Sequence, residues 1–405
     1  MAGAVARVRD PHVSAGSLRE IAGAFLRLGA TSYGGFAIMG IMQSELQERR
    51  GWVTKPRFVE GLAVVNMLPG ATATQMAIFL SYARGGWWGA VVGGLGFVLP
   101  AFVIMLALSL AYATVGVSPV VRGALYGLGP VVIGVFAVAL YRLGRSTVRS
   151  ATHAAIAVAA ALVMLVTPLG LAGVLTLAGV AGLLLFHPRT PRALASAAVI
   201  IAAVSLYTWW SVRPAATVAA AVAAADVQPV TLGALAAFFF KVGAFTVGGG
   251  LVMLGFIQQQ VVEQLHWLTP REFVDGLALG QLTPGPILML AAYVGYKVAG
   301  LAGAAVAAGA AFLPSFVITL AVLPVLDRVR ALAWVRAIME GLGPAVIGVL
   351  AVALARLAPH AVPDWPAALM LVLTLAALLL SRIGPFRLML AGALAGVLRA
   401  RLVRA

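Results

Sequence analysis

The chain has 405 residues, 62% of them hydrophobic and only 10% charged, with a mean hydropathy of +1.04. That composition excludes a water-soluble globule and places the protein in a bilayer. A net charge of +16 would raise nucleic acid as a partner, but the Arg and Lys residues stand singly or in short clusters between apolar runs, as in loops that set membrane topology, so no nucleic acid is expected. The absence of cysteine removes thiolate chemistry, disulfides and Cys-ligated metals. The five His residues are scattered, and no paired-carboxylate or HExxH spacing occurs, so no catalytic residue, metal site or cofactor is expected.

In chain order, residues 1–17 form a tail with no apolar core and small-residue cleavage site, so a cleaved signal peptide is not expected. Two interrupted hydrophobic segments follow, 18–42 broken at Gly34-Gly35 and 58–84 broken at Leu68-Pro69-Gly70. Full spans are predicted near 87–112, 120–141, 151–166 and 169–186. An apolar segment at 193–210, ending in Trp209-Trp210, lies in a linking region 193–230. The pattern then repeats: 232–257 broken at Gly248-Gly249-Gly250, 272–297 broken at Thr283-Pro284-Gly285-Pro286, and spans near 301–324, 334–356, 366–380 and 385–398. The expected units are therefore 18–192 and 231–405.

The two units are copies. At an offset of 214, Gly29, Gly34, Gly35 and Met39 fall on Gly243, Gly248, Gly249 and Met253. A one-residue insertion shifts Trp52, Thr54, Phe58, Pro69 and Gly70 onto Trp267, Thr269, Phe273, Pro284 and Gly285. The offset of 214 then resumes through Tyr82 and Tyr296, Pro100 and Pro314, Pro130 and Pro344, and Arg142 and Arg356. A duplicated hydrophobic half with Gly and Pro breaks at matching positions marks a secondary transporter.

Loop charge bears on the orientation of the halves, because cytoplasmic loops are enriched in Lys and Arg. Arg142, Arg145 and Arg149 cluster where the mate, 357–366, has no basic residue; Arg328 and Arg330 stand where 113–119 has none. Arg382 and Arg387 answer an uncharged 167–170, and Arg49, Arg50, Lys55 and Arg57 answer a lone Arg271. Four loop pairs thus change sign, against one dissenting pair, Arg189 and Arg192 with Arg399, Arg401 and Arg404. The expected fold is an all-α polytopic membrane protein with two homologous halves in an inverted-topology repeat, the odd segment 193–210 turning the second half over. With 43–57 on the cytoplasmic side, the interrupted segments enter and leave on one side as helical hairpins; if they cross instead, the other spans keep their orientation and only that loop moves.

Non-helical backbone inside a membrane is tolerated where it is buried or lines a cavity, and broken helices offer N-terminal amides to an anion. Gly34, Gly35, Gly248, Gly249, Pro69, Gly70, Pro284 and Gly285 are therefore candidate substrate-binding positions; the plain reading is packing by Gly and kinking by Pro. Arg27 and Lys241 are repeat mates about seven residues before the Gly-Gly breaks and could draw an anion inward, or snorkel to the headgroups. Asn66 and Gln281, with Gln75, Thr72 and Thr74, could donate to an oxyanion, or satisfy freed backbone groups. Glu60 and Asp275 match across the repeat and are candidates for a coupling proton, against the commoner role of a solvated acid near a helix N-terminus. Trp52 with Thr54, and Trp267 with Thr269, read as an interfacial aromatic followed by an N-cap. Glu340, whose mate is Tyr126, is expected to pair with Arg336 one turn earlier.

These motifs resemble the chromate ion transporter family, whose long members are fused homologous halves. Its pattern is met by FLRLG, Tyr33-Gly34-Gly35, QSELQERRGW and MLPGA, then by FFKVG, Val247-Gly248-Gly249-Gly250, QQQVVEQLHW and LTPGP. The resemblance implies a multi-pass protein of the inner (cytoplasmic) membrane that exports chromate, with sulfate as the related tetrahedral dianion, by alternating access driven by the membrane potential or a proton gradient. Phe36, Ala71 and Leu251 depart from the family's usual Pro, Pro and His. Expected partners are a small oxyanion, the lipid bilayer and, as an option, a second copy of the chain. Competing readings are a carrier of another inorganic or organic anion, a passive channel, and a membrane-embedded enzyme acting on a lipid headgroup.

Overall fold

A computed structural model describes residues 17–33, 37–66, 68–115, 118–167, 171–186, 230–246, 250–323, 333–381 and 383–402. The Gly-Gly pairs at 34–35 and 248–249 and the segment 193–210 lie outside these residues. Among the described residues there is no strand.

The first half contains α1 (Leu18–Thr31), α2 (Ala37–Met42), which runs on as a π-helical turn (Gln43–Arg49), α3 (Lys55–Val65), α4 (Thr72–Val115), α5 (Pro119–Thr147), α6 (Ala151–Val166) and α7 (Leu171–Phe186). The second contains α8 (Leu232–Phe245), α9 (Gly250–Ile257) with its own π-turn (Gln258–Gln264), α10 (Pro270–Leu282), a 3-10 turn (Ile287–Met289), α11 (Leu290–Val322), α12 (Ala333–Ala361), α13 (Trp365–Leu380) and α14 (Pro385–Leu402). Local chemistry fixes many of the starts. Ser17, Ser118, Ser150, Thr231 and Asp364 each accept a backbone N–H two or three residues into their helix. Thr269 and Glu272 form a reciprocal capping box; Thr54 holds the matching N-cap position but makes no such bond.

The repeat extends to backbone conformation. Gly86 (φ 63°) and Gly300 (φ 62°) each fold one long helix into a hairpin, so that α4 has limbs 72–85 and 87–115 and α11 has limbs 290–298 and 301–322. The limbs touch backbone to backbone: a Cβ on Gly295 would stand 2.2 Å from Gly303 O, and one on Gly303 the same distance from Gly295 O.

Glu20, in the first turn of α1, receives hydrogen bonds from Trp52 Nε1 (3.1 Å) and from Arg84 Nη2 (3.3 Å). The start of α1, the turn after α2 and the end of the first limb of α4 therefore share one level, here called the first face. The segments 18–42 and 58–84 both begin and end toward that level, as re-entrant hairpins. In the second half Phe238 packs on Trp267 (centroids 5.3 Å apart) and Lys297 pairs with Glu272 (2.7 Å) at the opposite level, the second face. The second limb of α4 crosses between them and ends where Tyr112 donates to Asp275 (3.0 Å).

The equivalent helices α5 and α12 run antiparallel. Positions 129, 144 and 147 of α5 face 361, 347 and 343 of α12. The pseudo-twofold axis relating the halves thus lies across these helices, and in a membrane that they cross the halves are inverted. The halves also exchange their last two helices, α6 and α7 packing on α12, and α13 and α14 on α5. Glycines allow the close crossings: a Cβ on Gly127 would lie 1.9 Å from Gly392 O, and one on Gly341 would lie 2.2 Å from Ala178 O. Four helices among the described residues are long and apolar enough to cross a membrane. The described spans begin and end near the expected ones, α5 and α12 being longer at their C-terminal ends.

One pairing is corrected. Glu340 Oε2 stands not against Arg336 but 3.1 Å from His153 Nε2 of α6. With α6 exchanged onto α12, the imidazole comes within reach from outside the helix.

Candidate functional site

The re-entrant tips meet at the middle of the molecule, and the contacts between them are reciprocal. Gly70 donates its amide to Thr246 O at the end of α8 (2.5 Å), and Gly285 donates its amide to Ser32 O at the end of α1 (2.8 Å). Ser32 and Thr246 are repeat mates, as are Gly70 and Gly285. Both glycines have positive φ, 134° and 94°, which disfavours a side chain. Space is short as well: a Cβ on Gly70 would lie 2.8 Å from Ser315 Oγ, and one on Gly285 would lie 2.8 Å from Ala101 Cβ, Ser315 and Ala101 being mates in turn.

Around Gly70 the groups are polar and buried. Ala71 N donates to Ser315 Oγ (2.8 Å), and Gln75 Nε2 donates to Pro69 O (2.7 Å). Ser32, Thr74, Gln75 and Ser315 are each fully buried, and Thr246 nearly so. Ser32 Oγ, Thr74 Oγ1, Gln75 Oε1 and Thr319 Oγ1 are bonded to no described group. Unspent hydroxyls beside the N-terminal amides of the first limb of α4 form a donor-rich patch without a full charge, the chemistry that suits an anion in a medium where a buried cation is costly.

Of the residues singled out by sequence, Pro69, Gly70, Gln75, Pro284 and Gly285 come to this junction. Asn66 lies exposed at the tip of α3, and its mate Gln281 is half-buried at the tip of α10. Arg27 and Lys241 are exposed on α1 and α8, about one turn before Ser32 and Thr246, and their side chains make no hydrogen bond to a described group of the junction. Glu60 is half-buried and paired with Arg57. Asp275 is 5% exposed, with Tyr112 OH on one oxygen and Arg271 Nε 3.5 Å from the other. Gly34, Gly35, Gly248 and Gly249 lie outside the described residues. Sequence reading passed over Ser32, Thr246 and Ser315. The first two carry hydroxyls at matching positions just before the Gly-Gly breaks, a signal open to inspection, whereas Ser315 faces an Ala in the other half and gave none.

Charge at the second face is held by a separate cluster. Asp364 receives Tyr126 OH and Arg399 Nη2. Burial opposes the charge, yet the hydrogen bonds from Tyr126 and Ala367 N and the Arg399 guanidinium hold this carboxyl below its ordinary value. Among the described residues no three His, Asp or Glu side chains group so as to hold a metal ion.

Fold and site together define a multi-pass helical membrane protein in which two homologous, mutually inverted halves meet tip to tip at a polar centre. The model of the chromate transporter family matches residues 19–183 and 233–397, once on each half, and the chain belongs to that family. It is 34% identical over 365 residues to the chromate transport protein of Cupriavidus metallidurans, covering 90% of this chain and 88% of that one. It is 32% identical to the probable chromate transport protein of Synechococcus elongatus (86% and 87% covered) and 29% identical to the chromate transport protein of Pseudomonas aeruginosa (80% and 77%). No solved structure matches.

Proposed function

We propose that the protein is a secondary transporter that exports chromate across the cytoplasmic membrane by alternating access, with residues 18–192 and 231–405 as its repeats and 193–230 as the link that turns one over. The observation that carries this reading is the reciprocal junction of Gly70 with Thr246 and Gly285 with Ser32. Two hairpin pairs entering from opposite faces meet there at a shared polar centre, the place where inverted-repeat transporters hold their cargo. The names of the Cupriavidus and Synechococcus relatives support chromate as that cargo.

On this reading the tetrahedral dianion is held by the N-terminal amides of the first limb of α4, by Ser32, Thr74 and Ser315 hydroxyls and by the Gln75 amide. Asn66 and Gln281 flank its two approaches. Arg27 and Lys241 add positive potential from outside the junction without touching the ion. Sulfate shares the shape and charge of chromate and is the natural competitor. The membrane potential or a proton gradient supplies the drive, with Asp275 and Glu60 as the carboxylates open to a coupling proton.

The test is flux of labelled chromate in proteoliposomes, with sulfate and a monovalent oxyanion for comparison. Accelerated exchange of internal for external chromate supports a carrier. Flux without such exchange would indicate a channel, and absence of chromate flux would remove chromate as cargo. Imposed potentials and pH gradients identify the drive.

A further inference from the structure

The repeat is symmetric in sequence, but the two halves are not packed alike. In the second half α9 packs on α12, and α10 on both α5 and α12; Leu254 and Leu277 line, with Ile133, Phe136, Leu350 and Leu354, an apolar cavity left in that seam. Leu277 is 3% exposed, and a Cβ on Gly255 would lie 3.4 Å from Ala353 Cβ. At the rim, Arg356 Nη1 of α12 donates to Glu263 Oε2 on the π-turn after α9, at 2.6 Å.

Among the described residues the first half shows no close packing of α2 or α3 on α5 or α12. Gly40, the mate of Leu254, has nothing within 4 Å of a Cβ, and Leu62, the mate of Leu277, is only half-buried. The buried apolar cluster of α1, α2, α3 and the α4 hairpin extends to the C-terminal part of α11 and takes in no residue of α5 or α12. The hairpins of the second half belong instead to the main core, with both of those helices. Glu48 and Arg142, the mates of Glu263 and Arg356, are apart: Glu48 is exposed with no ion pair to a described residue, and Arg142 Nη2 donates to Leu378 O of α13 (2.9 Å). Asn66 is exposed where Gln281 is half-buried.

Resting on the transport reading above, we propose that Glu263–Arg356 and Glu48–Arg142 are alternating gate pairs, the first closed on the second face and the second open on the first face in this structure. Halves of one architecture can exchange conformations. When the first half takes the packing now seen in the second, α2 and α3 close on the seam, Glu48 meets Arg142, and the Glu263–Arg356 pair parts. The cluster Arg49, Arg50, Lys55 and Arg57, with Arg145 and Arg149, lies on the first face, which assigns that face to the cytoplasm. The structure is the state open to the cytoplasm, ready to load cargo for export.

The test reads conformation rather than flux. Single cysteines at Asn66 and at Gln281 are introduced into the naturally cysteine-free full chain, and their reaction rates with a small hydrophilic thiol reagent are measured in membranes open to both sides. Glu263→Gln, and independently Arg356→Gln, should slow labelling at position 66 and speed it at position 281, each by roughly threefold, because weakening one closed gate shifts population to the opposite state. Glu48→Gln should do the reverse. Unchanged rates at both positions, or rates that rise together as in general loosening, would overturn the proposal. Chromate flux is scored separately, with the cysteine-free chain in sealed proteoliposomes: reciprocal labelling without chromate flux would sustain the gates while removing chromate as cargo.

Discussion

The amide of Gly285, in the second half, is bonded at 2.8 Å to the carbonyl of Ser32, in the first, and Gly70 makes the mirror bond to Thr246. Each break is thus completed by the other half. At these positions φ lies in the region that costs a side chain about 1–2 kcal/mol. Gly285→Ala and Gly70→Ala should cut chromate flux by about tenfold or more. Gly233→Ala, where a Cβ meets nothing within 4 Å, serves as the control and should leave flux unchanged.

Antiparallel packing of α5 on α12 sends their C-terminal ends to opposite faces. Arg145→Cys and His360→Cys, both at exposed positions, should react with an impermeant thiol reagent from opposite sides of intact cells and inverted vesicles. Labelling of both from one side would end the inverted arrangement.

The exchange of α6 and α7 onto α12 depends on backbone contact at Gly341, where an added Cβ would lie 2.2 Å from Ala178 O. Gly341→Leu should lower stability by roughly 1–3 kcal/mol, since neither backbone can yield without moving its helix. Thermal unfolding in detergent measures this. A wild-type midpoint would mean that the crossing is looser than described.

Arg27 and Lys241 are exposed, so their effect on the ion is screened. Lys241→Gln should weaken chromate binding by about twofold to threefold and a monovalent oxyanion by less, because the Coulomb energy scales with ligand charge. Lys241→Arg keeps the charge and should retain wild-type affinity. Equal losses for the two ligands would show that the lysine anchors α8 rather than attracting the anion.

Asp364 joins the start of α13 to Tyr126 of α5 and Arg399 of α14. Its folded carboxyl titrates below the ordinary value near about 3.9. The stabilisation is therefore complete above that value and is lost as pH falls through the lower, folded one. Asp364→Asn should unfold at a lower temperature than wild type at neutral pH, and the gap should close in acid. A gap independent of pH would place the effect in the N-cap alone, which Asn also satisfies.

Periodicity and repetition alone carried much of the architecture. Glycines and prolines recurring at fixed offsets locate the breaks, because only those residues make mid-membrane interruptions cheap, and long apolar runs locate the spans within a few residues. Loop charge pointed to inversion because topology is set during insertion by flanking Lys and Arg, a signal written locally. Which groups meet was decided only in three dimensions. The bond from Gly285 to Ser32 joins residues far apart in the chain, the pairing of Glu340 with His153 arises from exchanged helices, and Ser315 reaches Ala71 with no counterpart in the other half. Charge in the sequence singled out Arg27 and Lys241, yet both side chains are exposed and not buried at the junction. The unequal closure of the two halves is likewise invisible in a near-symmetric repeat, since one sequence pattern serves both conformations and only packing chooses between them.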